Sequence, residues 1–224
     1  MNREDVVNKA KFYIAHYSNP NIFTMWFFKD KNKHAWCGAF VDYIFKHDLK
    51  CDWLDSCSNF GYVPTIVSWA KKKGYWTTDY KKARAGDLVV YNWHPKVKNN
   101  YSHVGIVKEL KTNMISIEGN TTSSVGLNNC VAQKSRAKKY IAGIVQLPYK
   151  APTVPSPILK KGNKGTRAKN LQTCLTYLGY KLTIDGIFGK DTEKKLKQFQ
   201  KDNKLAKDGI YGAKSYKKMK ELVK

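Results

Sequence analysis

The chain has 224 residues, of which 42% are hydrophobic and 13% aromatic. This composition can form a packed core and excludes an intrinsically disordered protein. The formal net charge is +24, from 41 Lys and Arg against 17 Asp and Glu, and the excess falls on both halves of the chain. Such a charge indicates an anionic partner, which is a nucleic acid, a membrane surface or an anionic cell-wall polymer.

Other features of the sequence bear on which of these three anionic partners is expected. The sequence has no zinc-finger spacing and no nucleic-acid recognition motif, and its lysines are scattered, so we expect no nucleic-acid partner. No stretch approaches about 18 consecutive apolar residues, so we expect no membrane insertion. The first residues, Met1 to Val7, form no apolar core of a signal peptide. The five cysteines are irregularly spaced and lack paired CxxC motifs, which indicates a chain made in a reducing cytoplasm.

The first part of the chain is predicted to be helical. Apolar residues recur at helical spacing in residues 3–17, from Cys37 to Phe45, and after Pro64, a proline that suits the first turn of a helix. Beyond Gly86 the pattern becomes that of strands. The four predicted strands are Leu88 to Tyr91, His103 to Val107, Met114 to Glu118, and Ile141 to Leu147. Helices followed by a short antiparallel sheet indicate an α+β fold.

Four prolines in residues 148–157 predict a semi-rigid linker between a first domain, residues 1–147, and a second domain, residues 158–224. The second domain contains a repeat, because Asp-Gly-Ile-Phe-Gly at 185–189 recurs as Asp-Gly-Ile-Tyr-Gly at 208–212. Each copy precedes a lysine-rich helix, and a further helix is predicted to end at Gly179. Three short helices without clustered His, Cys or carboxylates predict a binding module.

Cys37 is the candidate nucleophile of the first domain. It stands where the predicted helix begins, and there unpaired backbone N–H groups and the helix dipole favour an anion. A helix N-terminus and a nearby imidazolium can lower the pKa of a thiol from about 8.5 to roughly 3.5–7.5. The alternative interpretation is an inert core cysteine, since cysteine is among the most buried residue types.

A cysteine nucleophile needs a base and a group that orients the base. Among the five histidines, His103 opens a predicted strand and can therefore face a helix packed on the sheet, whereas His94 in a loop is the second candidate. Glu118 ends the next strand, and Asn120 follows it. If these strands pair antiparallel, an acceptor there can bind the far ring nitrogen of His103 and set its tautomer.

Four segments together resemble the CHAP family of cysteine peptidoglycan hydrolases, a branch of the papain-like NlpC/P60 superfamily. They are Trp-Cys-Gly-Ala-Phe-Val at 36–41, Ala-Gly-Asp-Leu-Val-Val-Tyr at 85–91, Ser-His-Val-Gly-Ile-Val at 102–107 and Ile-Glu-Gly-Asn-Thr at 117–121. The tail resembles the common peptidoglycan-binding domain of three short helices, through Leu-Gln at 171–172, Leu-Gly-Tyr at 178–180, the motif at 185–189 and Phe-Gln at 199–200. Together the two halves resemble a phage endolysin or a bacterial autolysin.

The resemblance implies that Cys37 is the nucleophile, His103 the base and Glu118 the orienting residue, with Asn120 as an auxiliary member. The backbone N–H of Cys37 would be one oxyanion donor. Tryptophans of the first domain, among them Trp36 and Trp93, are further candidates to line a groove for the stem peptide or glycan, with core packing as the alternative.

Some CHAP enzymes bind calcium through acidic residues just before the cysteine. Here Asp30 lies among three lysines, which would make a weak cage, so we expect no metal and no cofactor.

The function hypothesis is cleavage of an amide bond in bacterial peptidoglycan, with the N-acetylmuramoyl-L-alanine amide favoured over a stem or cross-bridge bond. The basic surface would hold a monomeric enzyme on a wall rich in phosphate and carboxylate, and the tail would raise its local concentration there. Without a visible signal peptide, we expect synthesis in the host cytoplasm and release through a partner such as a phage holin. The hypothesis from another class is a wall-binding protein with a vestigial cysteine, which would have no reason to keep His103 and Glu118.

Overall fold

The structure is a computed structural model that describes residues 1–15, 21–29 and 34–223. It divides into two compact units, Met1–Tyr149 and Lys150–Lys224, with the division inside the predicted proline-rich segment. In the described ranges, no helix has both the length and the apolar character needed to cross a membrane.

The first unit begins with helices, and the hydrophobic periodicity predicts all of them except the second. They are α1 (Arg3–Phe12), α2 (Ile22–Phe28), α3 (Cys37–Asp42), which continues as a π-helical turn (Tyr43–Asp48), and α4 (Val63–Lys72). Asn2 and Asn21 cap α1 and α2, because each side chain accepts hydrogen bonds from backbone N–H groups of the first turn. Helix α1 is shorter than predicted, and residues 16–17 of that prediction lie outside the described residues.

The helices are followed by an antiparallel sheet, which in the described part of the chain has six strands in the order β1-β6-β2-β3-β4-β5. The strands are β1 (Trp76–Thr77), β2 (Leu88–Tyr91), β3 (His103–Leu110), β4 (Met114–Thr121), β5 (Cys130–Arg136) and β6 (Ile141–Val145). The α+β class is thus confirmed. Strands β1 and β5 were not predicted, because β1 has two residues and the second half of β5 is polar and only partly buried.

Alternate residues of the strands point to opposite faces of the sheet, and the two faces are covered differently. Leu88 and Val90 of β2 belong to the main core, which also contains the apolar faces of α1, α3 and α4. Val89 and Tyr91 belong to a smaller cluster on the opposite face. This arrangement places the N-terminus of α3 against β3 and β4, the two strands that carry His103 and Glu118.

The second unit contains α5 (Thr166–Tyr177), α6 (Lys190–Asp202) and α7 (Ala213–Leu222) in its described residues. A buried glutamine connects each of the first two helices to the glycine turn that follows it. The Gln172 amide nitrogen donates to Asp185 Oδ1 (2.7 Å), the Ile187 carbonyl (3.0 Å) and Thr192 Oγ1 (3.0 Å), and its oxygen accepts from Gly186 N (2.8 Å). Gln200 makes four equivalent hydrogen bonds, to Asp208, Gly209, Ile210 and Ser215.

Candidate active site

Cys37 is the first residue of α3, and it is 4% exposed. The backbone N–H groups of Gly38 and Val104 donate hydrogen bonds to its sulfur. Gly38 is required for this placement, since a Cβ there would collide with the carbonyl oxygen of Phe60. The helix start therefore presents the sulfur to the first residues of β3 and surrounds it with donors, which favours the thiolate.

His103 and Glu118 lie beside each other on adjacent strands. His103 Nε2 is 3.0 Å from Glu118 Oε2, and the two residues are 6% and 0% exposed. Since Nε2 faces the carboxylate, Nδ1 is the ring nitrogen left for the Cys37 sulfur. The carboxylate fits because residue 105 is a glycine, where a Cβ would lie 2.8 Å from Glu118 Cγ.

The pKa values of the three groups are coupled. Burial acts to raise the pKa of the Cys37 thiol, but the charge and hydrogen bond of His103 outweigh it, and the pKa is lowered. Burial acts to lower the pKa of His103, yet the Cys37 thiolate and the Glu118 carboxylate raise it to about 10. For Glu118, hydrogen bonds from His103 and Arg136 overcome burial and lower the pKa to about 2. The site therefore favours a thiolate, an imidazolium and a carboxylate at neutral pH.

Glu118 is held by more groups than His103 alone. The Arg136 guanidinium donates two hydrogen bonds to the carboxylate, from Nη2 to Oε2 at 2.6 Å and from Nε to Oε1 at 3.1 Å. Ser116 Oγ donates to Oε1 at 2.6 Å and is itself 2.7 Å from the Tyr91 hydroxyl. These contacts fix both carboxylate oxygens, so the orientation of the His103 ring is fixed as well.

Arg136 is the site residue that the sequence did not reveal. It ends β5, 18 residues after Glu118, and its guanidinium lies 4.8 Å from the centre of the Trp93 ring. No motif marks it, and the polar run of β5 resembles a solvated loop. The available signal was indirect, because a carboxylate predicted at a buried strand end needs a cationic partner.

The two predicted substrate-binding tryptophans have different positions. Trp36 is 0% exposed and stacks on Phe23 with ring centroids 5.4 Å apart, so the prediction that it lines a groove is wrong and it belongs to the core. Trp93 is half-buried, and its ring centroid lies 5.6 Å from that of His103. It lines a cleft of about 480 Å³ together with Arg136 and Tyr140.

Asn120 lies near the end of β4 with φ 54°, at a point where the pairing with β5 is irregular. Its side chain forms no hydrogen bond with another described residue, so its auxiliary role stays a prediction. His94 is exposed and is not the histidine beside Cys37.

The structure places no group of three His, Cys, Asp or Glu side chains suited to a metal within residues 1–15, 21–29 and 34–223. Asp30, on which the calcium alternative depends, lies outside the described residues, as do its neighbours Lys31 and Lys33. The expectation that the protein binds no calcium therefore stays a prediction from the sequence.

A thiol at a helix N-terminus, an imidazole facing it and a buried carboxylate that orients the imidazole are the chemical groups of a cysteine hydrolase site. The fold around them is α+β, with the thiol on a helix and the other two groups on the sheet. The first unit therefore has the architecture of a papain-like domain.

Comparison with protein families identifies both units. Residues 29–120 match the model of the CHAP domain, and residues 164–219 match the model of a peptidoglycan binding domain. The chain therefore contains a CHAP domain followed by a peptidoglycan-binding domain, in the predicted order. The CHAP domain indicates a family of peptidoglycan hydrolases, amidases or peptidases, and peptidoglycan is the substrate or partner that both domains indicate. No curated protein matches the chain.

Several solved structures are similar in sequence to parts of this chain. The N-terminal domain of SleB is 32% identical over 32% of this chain and 100% of its own, with a TM-score of 0.31. The endolysin of Burkholderia AP3 phage is 32% identical over 29% of this chain and 25% of its own, with a TM-score of 0.29. A peptidoglycan-binding protein from Clostridioides difficile, in complex with glutamine hydroxamate, is 19% identical over 70% of this chain and 86% of its own, with a TM-score of 0.30.

Proposed function

We propose that this protein is an endolysin-type peptidoglycan hydrolase that cleaves the amide between N-acetylmuramic acid and L-alanine. The observation that carries the proposal is the coupled set of Cys37, His103 and Glu118, in which the thiol pKa is lowered and the imidazole pKa is raised. At Cys57 and Cys174, in contrast, burial raises the pKa of the thiol.

In the first step the Cys37 thiolate attacks the amide carbonyl carbon, and the carbonyl oxygen becomes an oxyanion. The N–H of Cys37, at the N-terminus of α3, is the candidate oxyanion donor. The His103 imidazolium then gives its proton to the amide nitrogen, the C–N bond breaks and the amine leaves. The product bound to the enzyme is a thioester on Cys37.

In the second step neutral His103 accepts a proton from water, which attacks the thioester carbonyl and releases a carboxylic acid and the Cys37 thiolate. Glu118 remains ionised throughout, because Arg136 and His103 hold its pKa at about 2. It keeps the ring in one orientation and stabilises the imidazolium that forms in each cycle.

The same chemistry would also cleave an amide of the stem or cross-bridge, and the products distinguish these reactions. Purified Gram-positive sacculi are incubated with the wild type, Cys37→Ser and Cys57→Ser, and turbidity and released ends are measured. Cys57 is the matched control, because it is a buried free cysteine of the same unit. We expect the wild type and Cys57→Ser to clear the suspension and Cys37→Ser to be slower by at least about 10³-fold.

New muramic lactyl carboxylates with N-terminal alanine would identify the amidase, and other new amines would identify an endopeptidase. Equal clearing by Cys37→Ser would exclude Cys37 as the nucleophile. If all three proteins pellet with the sacculi and none releases new ends, the protein is a wall-binding protein instead.

A further inference from the structure

The first unit has a second cleft, of about 330 Å³, which the catalytic set does not use. It lies between the end of α4, strands β1 and β6, and the loop that leads from β2 to β3. Its volume is within the usual range of small-ligand sites. The residues that define its chemistry are Lys71, Trp76, Lys98, Asn99, Tyr101 and Lys139.

The aromatic wall of this cleft is formed in advance of any ligand. Trp76 and Tyr101 meet edge to face, with ring centroids 5.8 Å apart and an angle of 73° between the rings. The Trp76 ring lies directly on β6 at Gly143, where a Cβ would collide with the indole. The indole is half-buried, so it combines a fixed position with a surface that a ligand can reach.

The polar side of the cleft is cationic. Lys71 Nζ donates to the Tyr101 hydroxyl at 3.2 Å, and this hydroxyl donates to Asn99 Oδ1 at 2.8 Å. The ammonium lies 5.6 Å from the centre of the Tyr101 ring. Lys98 and Lys139 add two more cations, and none of the described residues that line the cleft is acidic. The cleft thus offers positive charge beside an aromatic surface, which suits an anionic group carried on a partly apolar molecule.

The cleft is close to the candidate base. Tyr101 precedes His103 by two residues, and Asn92, also in the cleft, follows Tyr91, the residue that pairs with His103. Because consecutive Cα atoms are about 3.8 Å apart, the Cα of Tyr101 lies within about 8 Å of that of His103. The loop that forms one side of the cleft therefore leads directly into the strand that carries the candidate base.

We propose that this cleft is a substrate subsite that binds a carboxylate of the peptide stem next to the scissile amide. Lys71 pairs with the carboxylate, and Trp76 and Tyr101 pack against the aliphatic part of the stem. Separate ammonium groups suit a single carboxylate, whereas no arginine fork for bidentate binding of phosphate lines the described cleft. The inference rests on the proposed hydrolase function and adds the group of the substrate that is recognised.

The test compares two soluble muropeptides, one with free stem carboxylates and one with the same carboxylates converted to amides. We expect the wild type to prefer the free acid about fivefold in kcat/KM, through KM. Lys71→Met should lose this preference, because its KM for the free acid rises. Lys72→Met is the control, because it removes the same charge from the next residue of α4, which does not line the cleft.

Three outcomes separate this inference from the proposed function. Equal cleavage of both muropeptides by the wild type, or an unchanged preference in Lys71→Met, would overturn the subsite and leave the hydrolase intact. If the wild type cleaves neither, while Cys37→Ser binds the free acid more tightly in a titration and loses this when Lys71→Met is added, the subsite stands and the proposed function fails. If Lys71→Met changes only inhibition by free poly(glycerol phosphate), the cleft binds a wall phosphodiester and the carboxylate proposal is wrong.

Discussion

At the scale of single residues, the chemistry of the site depends on which side chains bind the two carboxylate oxygens of Glu118. Oε2 faces both His103 Nε2 at 3.0 Å and Arg136 Nη2 at 2.6 Å. Glu118 and Arg136 therefore have opposite effects on the pKa of His103. The negative charge of Glu118 raises the pKa of His103, while Arg136 neutralises part of that charge and keeps Glu118 ionised.

Glu118→Gln should shift the pH dependence of the reaction. The Cys37 thiolate and the Glu118 carboxylate both raise the pKa of His103, and glutamine keeps the acceptor at 118 but removes its charge, so the imidazolium should lose its proton at a lower pH. We expect the alkaline limb of kcat/KM, near pH 10 in the wild type, to move to lower pH. The rate should fall on the order of 10²–10⁴-fold. The measurement is kcat/KM on a soluble muropeptide between pH 5 and 11, and an unmoved alkaline limb would show that Glu118 does not act on His103.

Arg136→Gln should change how the first unit responds to acid. An ionised carboxylate whose pKa is lowered by folding stabilises the folded state above its unfolded pKa, near 4.5, and this stabilisation is lost as the pH falls toward about 2. Without Arg136 the folded-state pKa of Glu118 rises toward its unfolded value, so the loss of stability in acid should be smaller and should be complete at a higher pH. Thermal unfolding between pH 2 and 7, followed by tryptophan fluorescence, measures this.

Two variants make the Arg136 test specific. Arg136→Lys keeps the charge without the fork and should lie between the wild type and Arg136→Gln. Lys134→Gln removes a cation from the same strand without touching Glu118, and its pH dependence should match the wild type. If Lys134→Gln and Arg136→Gln showed the same change in the pH dependence of thermal unfolding, the effect would come from the net charge and not from the contact of Arg136 with Glu118.

At the scale of elements, the second unit contains the same hydrogen-bond arrangement twice, each time around a buried glutamine. A glutamine on a helix is almost fully buried and satisfies four polar groups, including the backbone N–H of the glycine in the following Asp-Gly turn. The turn requires that glycine, because φ is 76° at Gly186 and 75° at Gly209. Each helix is thereby attached to the turn that leads into the next helix, which explains why the five-residue motif and the glutamine occur together in both copies.

Gln172→Met should destabilise the second unit by about 2–4 kcal/mol, because methionine fills the space but leaves several buried donors and acceptors without partners. Gln198→Met is the control, since Gln198 is exposed and its amide donates to Asp202 on the surface. Amide hydrogen exchange of the full chain measures both, with faster exchange expected across α5 and α6 in Gln172→Met. Similar exchange in both variants would show that the buried network contributes little.

At the scale of the whole molecule, the charge of +24 is the dominant property, and both units contribute to it. Coulombic attraction to an anionic wall is screened by salt, with a Debye length of about 10 Å at 0.1 M. Attraction through stacking and hydrogen bonds in the binding domain is screened far less. The salt dependence of binding therefore separates the two contributions.

Raising NaCl from about 50 to about 500 mM should weaken binding of Cys37→Ser to sacculi about tenfold. Co-sedimentation of the inactive full-length protein measures the affinity without loss of the wall. Sacculi stripped of phosphate-containing polymers should show a smaller salt effect than intact ones. Salt-independent binding to both preparations would assign the affinity to the binding domain alone.

The sequence by itself determined much of this molecule, because periodicity and turn residues act over short distances. The change from helical to strand spacing predicted the α+β class, and the repeat at 185–189 and 208–212 predicted the helical second unit. Cys37, His103 and Glu118 were identifiable because each lies at the end of a predictable element within a recognisable motif.

Tertiary structure decided what depends on contacts between distant residues. An aromatic residue has the same hydropathy in a core and in a groove, so only packing shows that Trp36 is enclosed while Trp93 reaches the cleft beside His103. Arg136 lies on a strand with no readable pattern, and only the pairing of β5 with β4 brings it to Glu118. Burial and ionic partners are properties of the assembled sheet, because they depend on which strands lie side by side rather than on residues adjacent in the chain.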